Sequence, residues 1–130
     1  WPLVGSYVGS LTGAWNVGGR EQPFGSANAP LSILPDQANQ VVIVDLPGFG
    51  CRFTAQSEGF IASARPGANC AITDQTDPTV TTFLTLNTGR AYGSPTQITL
   101  TLSGTFIASK SGTPYATGTF RVDYMGLRPR

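Results

Sequence analysis

Seven carboxylates, two cysteines and no histidine bound the chemistry this 130-residue chain can do. The missing histidine removes the commonest general base, the Ser-His-Asp arrangement and the commonest zinc ligand together. The acids are Glu21, Asp36, Asp45, Glu58, Asp74, Asp77 and Asp123. A carboxylate pair for glycoside hydrolysis could be drawn from them. Most, however, fall in or beside expected turns, where a carboxylate is ordinarily solvated or closes an Asx turn. "DQTDP" (74–78) offers Asp74 and Asp77 to a weakly held calcium ion but lacks the length and the later glutamate of an EF-hand loop. The glycines of "NVGGREQPFG" and "LPGFGC" have no helix behind them, as a phosphate cradle needs, and read as turns. No catalytic, cofactor-binding or metal-ligating residue is assigned, and no cofactor is expected.

Cys51 and Cys70 are too far apart for a CxxC redox motif. In an exported chain such a pair reads as a disulfide; in a cytosolic one it reads as two buried thiols. The composition (Gly-, Thr- and Ser-rich, one Met) leans toward export, to a secreted, periplasmic or cell-surface location. Charged residues make up 12% of the chain, about half the usual share. Net charge is +1 and the basic residues are scattered, so nucleic acid is not an expected partner. No signal peptide is recognisable, which makes Trp1 a processed end or an arbitrary boundary. No apolar run approaches the roughly 20 residues of a transmembrane helix.

Helix signals are nearly absent: no window sustains an i, i+3, i+4 pattern, and ten prolines and sixteen glycines break almost every candidate. Period-two alternation recurs instead. It is clearest in "SYVGSLTGAWNV" (6–17), "TQITLTLSGTFIAS" (96–109) and "ATGTFRVDYMG" (116–126), with "KSGTP" as a hairpin loop between the last two. Further strands are expected in "SANAPLSILP" (26–35), "QVVIVDL" (40–46), "CRFTAQ" (51–56), "GFIASA" (59–64), "NCAITD" (69–74) and "TVTTFLTLN" (79–87). The fold class is therefore all-β, a single domain over 1–130 with an apolar arm at 1–4 and a basic tail at 127–130. The expected architecture is a small antiparallel meander barrel of about eight strands, with a β-sandwich as the alternative.

If 51–56 runs up, 59–64 down and 69–74 up again, the two cysteines begin strands that lie two apart. That separation is roughly 10 Å, beyond the ~7 Å between Cα atoms that a disulfide spans. The bridge then requires frayed strand starts, where "PGFGC" and "RPGANC" bend inward.

Glycines recur on the apolar faces at Gly9, Gly13, Gly104 and Gly118. In a flat sheet they would weaken their strands; in a small closed barrel they leave room for large neighbours and let strands bend. The expected interior, or pocket lining, is Tyr7, Leu11, Trp15, Leu100, Phe106, Phe120 and Tyr124. "LTGAW" (11–15) resembles the opening of calycin-type barrels, the lipocalin and avidin group. The resemblance covers the first strand and implies barrel geometry. It does not imply biotin binding, because this chain has only Trp1 and Trp15 where avidin-like proteins use several later tryptophans.

Two functions follow as expectations. The first is a non-catalytic structural or accessory subunit of an extracellular or periplasmic assembly, in contact with other protein subunits. Its expected contact residues are Trp1, Leu3 and Val4, on an arm that folds back or docks on a neighbour, and Val42, Val44, Leu46 and Phe49, from a stretch apolar on both faces. The alternative is a calycin-like barrel holding a small apolar ligand, which rests on fold analogy. An enzyme ranks third.

Overall fold

The structure is a computed structural model that describes residues 2–36, 40–65 and 67–129. Alternating sequence becomes nine strands with no helix among the described residues: β1 (Gly5–Val17), β2 (Arg20–Pro35), β3 (Val41–Leu46), β4 (Cys51–Glu58), β5 (Ile61–Ala64), β6 (Asn69–Thr73), β7 (Val80–Gly93), β8 (Gln97–Lys110) and β9 (Thr113–Leu127). All pairings are antiparallel. Eight strands close a ring: β1 pairs with β2 and β9, β4 with β3 and β5, and β7 with β8 and β5. This is a meander barrel, which removes the open sheet edges of a sandwich.

β6 is the exception. Ile61–Ser63 of β5 pair with Tyr92–Arg90 of β7, and Asn69–Thr73 of β6 pair with Thr85–Thr81 of the same strand. Both are antiparallel to β7, so β5 and β6 run in the same direction as one interrupted strand. The expected reversal at "RPGA" is therefore corrected to a sideways step. It is held by Ala68 N donating to Arg65 O at 3.1 Å and Leu86 N donating to Ala68 O at 2.9 Å. A bulge at Asn87 in β7 lies opposite the step, between the Leu86 and Thr88 registers.

"NVGGREQPFG" also divides differently from expectation. Only Gly18 and Gly19, with φ of +59° and +82°, form the turn; Arg20 onward is already β2. Two successive positive φ values suit a tight hairpin whose twist matches its strands.

The alternation places Tyr7, Leu11, Leu100, Phe106, Phe120 and Tyr124 in the buried core, with Trp15 half-buried against it. The inward glycines match their large neighbours. A Cβ at Gly104 would fall on the carbonyl oxygen of Thr85, and one at Gly118 on that of Asn16 and 2.9 Å from the Phe106 ring. At Gly13 a Cβ would stand 2.5 Å from the ring of Phe24, its partner across the β1–β2 ladder. Small residues thus let rings fill space that a flat sheet would leave to side chains.

The expected contact residues are corrected by burial. Val42, Val44 and Leu46 alternate inward on β3, and all are at most 1% exposed. Leu3 is fully buried and Phe49 is 7% exposed, so the barrel itself consumes the apolar surface assigned to a partner. Val4 is half-buried against the core. Trp1 lies outside the described residues.

Candidate functional site

The two ends of the barrel are finished differently. At one end, residues 2–4 fold back across the opening. Tyr7 Oη donates to Leu3 O at 2.7 Å, and Arg128 Nη2 donates to Tyr7 Oη at 2.5 Å and to Pro2 O at 2.9 Å. The Arg128 guanidinium sits 5.1 Å from the Tyr7 ring centroid, within cation–π range. Higher on the same wall, Tyr124 Oη donates to Ala29 O at 2.8 Å, tying β9 to β2 across the interior. This end is closed.

At the other end five rings gather. Trp15 lies 5.4 Å from Phe24, 5.7 Å from Phe49, 5.1 Å edge-on from Phe106 and 5.9 Å from Phe120, centroid to centroid. Phe24 and Phe49 stack at 5.6 Å with an interplanar angle of 9°. Phe49 reaches the cluster because residues 47–50 form a tight turn. In it Phe49 N and Gly50 N both donate to Leu46 O, at 3.1 and 2.9 Å, and Gly50 takes φ +80°. The turn folds its aromatic back over the barrel mouth.

One side of Trp15 faces this cluster. The other faces a half-open cleft of about 500 Å³ whose walls include Val17, Ile72, Phe106, Ala108 and Ala116. That volume suits a small organic molecule. Gln22, Thr82 and Asp74 add the polar groups on its lining, and Tyr115 stands on the rim. Tyr115 owes its place to a β-bulge. Ala108 pairs with Ala116 and Ser109 with Pro114, so Tyr115 is the extra residue, and it is 61% exposed. Bulges at barrel rims re-aim side chains in this way.

Asp74 and Asp77 sit in the loop beside the cleft, where each closes an Asx turn. Asp74 Oδ1 accepts from Thr76 Oγ1 at 2.7 Å, from Thr76 N at 2.8 Å and from Asp77 N at 3.3 Å. Asp77 Oδ1 accepts from Thr79 Oγ1 at 2.6 Å and Thr79 N at 3.1 Å, and Asp77 Oδ2 lies 3.6 Å from Lys110 Nζ. The threonine hydroxyls lead in holding both carboxyls below the ordinary range. The oxygens that the sequence offers to calcium serve the loop's own folding. Among the described residues no three metal-ligating side chains cluster.

Cys51 and Cys70 form a disulfide with Cα atoms 5.2 Å apart. Because β6 continues the line of β5, the cysteines face each other on neighbouring strands, and no inward fraying is needed. Ile72, two residues beyond Cys70, belongs to the cleft wall, so the bridge also anchors the cleft.

The sequence reading found Trp15, Phe106 and Phe120 of this site but missed Phe24 and Phe49, which it assigned to a turn and to a contact surface. Phe24 had no periodic signal: the alternation that turns Ala29, Leu31 and Ile33 inward would turn Phe24 outward, and only an irregularity between Ser26 and Ala29 reverses the phase. Phe49 carried no periodic signal either, since a turn residue has none.

No family model matches this chain, and no curated protein matches it. Among solved structures it is similar to a structural-genomics protein of unknown function from Bacteroides ovatus, with 12% identity and a TM-score of 0.41. The match covers 95% of this chain and 47% of that one, so the chain spans about half the length of the protein it matches.

Proposed function

We propose that this chain is a non-catalytic binding barrel that takes a small, ring-bearing apolar molecule at its Trp15 end. The carrying observation is the half-open cleft, in which a half-buried indole, backed by four phenyl rings, faces solvent. The opposite end is plugged by Leu3, Tyr7 and Arg128, which gives the barrel one mouth. Aromatic walls supply affinity, and Gln22 and Thr82 supply orienting hydrogen bonds. The disulfide and the lack, among the described residues, of a helix able to cross a membrane are compatible with a site of action outside the cytoplasm.

The test is titration with a neutral fluorescent probe, N-phenyl-1-naphthylamine, followed by displacement with unlabelled ring compounds. Saturable one-to-one binding in the micromolar range is expected. Ala116→Trp, which fills the cleft from its rim, abolishes binding while leaving the circular dichroism spectrum unchanged. Failure to saturate by about 100 µM, a binding free energy near −5.5 kcal/mol, overturns the reading. So does equal binding by Ala116→Trp.

A second reading, the accessory subunit, is favoured by a different feature: the outer wall of β7, β8 and β9 carries Tyr92, Met125 and Leu127 exposed to solvent.

A further inference from the structure

The outer wall has a pattern that the cleft does not explain. On β8 the outward residues Thr99, Thr101 and Ser103 are short and uncharged, and all three are half-buried between the flanking strands. The ladder registers Arg90 with Thr101 and Thr101 with Asp123. One row along, it registers Tyr92 with Thr99 and Thr99 with Met125. Arg90 and Asp123 thus stand one strand either side of β8, roughly 9.6 Å apart. Neither has an ion-pair partner among the described residues, where Arg121 pairs with Glu21 and Lys110 with Asp77. Tyr92 and Met125, 49% and 59% exposed, stand beside them as two apolar ridges.

We infer that this wall is a self-complementary surface on which a second copy of the chain docks about a two-fold axis running along β8 near Thr101. A rotation of 180° about such an axis exchanges the two flanks. It brings the partner's Arg90 over Asp123 and the partner's Tyr92 over Met125, and the reciprocal contacts form at the same time. Tilting the axis by about 15° from β8 gives the roughly −30° crossing of aligned sheets. The tilt shifts the facing rows by only about 2 Å, well within the reach of an arginine side chain. The threonine spine needs little desolvation beside what lysines or glutamates would require. A strip three strands wide and about ten residues long projects roughly 500 Å² per copy, near the lower limit for a specific pair of chains. An interface this small is expected to be a weak one, within the concentration range of the test below. The surface lies on the wall, away from the barrel mouth, so cleft binding and self-association are independent.

Sedimentation equilibrium of the oxidised chain across about 1–300 µM tests this, with Arg90→Asp, Asp123→Arg, the double reversal and Thr101→Lys alongside. The unaltered chain is expected to dimerise. Each single reversal weakens the dimer at least tenfold, and the double reversal returns it to within about threefold. Thr101→Lys, which sets two cations face to face on the axis, leaves monomer only. All three substituted positions are on the outer wall, and matching melting temperatures verify that the four variants fold. A monomer throughout the range overturns the proposal. A dimer indifferent to these substitutions overturns it as well, because association then uses another surface.

Discussion

Cys51 and Cys70 face each other across a seam in the barrel wall that no backbone hydrogen bond crosses among the described residues. β4 is laddered to β3 along its length and to β5 through Ala55–Glu58, while β6 is laddered only to β7. The disulfide takes the place of a ladder there, at a Cα separation of 5.2 Å.

Removing both thiols, as Cys51→Ala with Cys70→Ala, is expected to lower stability by about 3 kcal/mol, as for closure of a loop of this length. The loss should be local as well as global. Amide exchange of β6 is expected to accelerate relative to β8, and probe affinity at the cleft should fall because Ile72 is no longer fixed. An unchanged denaturation midpoint together with an equally protected β6 would contradict this role for the bridge.

Gly104→Ala is expected to cost about 2–3 kcal/mol, because its Cβ would meet the Thr85 carbonyl in a ladder that cannot yield. Gly112→Ala is the control. That glycine has φ +84° with open space around it, so the cost is backbone strain alone, about 1 kcal/mol. Urea denaturation of the two variants separates steric crowding inside the barrel from turn conformation. Equal losses would mean that the inward glycines do not set the strand spacing.

The closed end predicts coupling between Arg128 and Tyr7. A double-mutant cycle of Arg128→Met and Tyr7→Leu should return an interaction energy of about 1 kcal/mol or more, since the pair shares a hydrogen bond and a ring contact and Leu removes both. Additive losses would place the plug's stability in Leu3 burial alone.

Much of the barrel was legible because its code is local. Strict alternation in residues 6–17, 96–109 and 116–126 put Tyr7, Leu100 and Phe120 on the inner face, and the glycines marked where the wall would crowd. The run at Val41–Val44 is apolar on both faces, which fits either cover on both sides or a contact with another chain, and assigning Val42 and Val44 to a contact took the wrong alternative. Val42 and Val44 point inward, and outward-facing Val41 is nonetheless 2% exposed. The step between β5 and β6 was invisible for another reason. "RPGA" has the composition of a reversing turn, and only pairing with the distant strand β7 shows that the chain carries on in the same direction. The cleft was half legible. Trp15 and Phe106 followed from period two, but Phe49 enters from a turn and Tyr115 from a bulge, and both break the period.

Tyr124 carries the last prediction. Burial pushes its phenol up to about 12, against an ordinary value near 10. The folded state therefore favours the neutral phenol, which donates to Ala29 O. The unfolded chain loses this proton near pH 10 and the folded chain only near pH 12, so the contribution to stability is complete below pH 10. It is lost as pH rises from 10 to 12, where ionisation draws the equilibrium toward the unfolded state. Tyr124→Phe should be less stable at neutral pH by about 1–2 kcal/mol, because the Ala29 carbonyl loses its donor in the interior. Between pH 10 and 12 its stability should fall less steeply than that of the unaltered chain, so the two curves converge. Parallel curves over that interval would show that Tyr124 ionises equally readily in both states, and alkaline unfolding would then have to originate elsewhere in the chain.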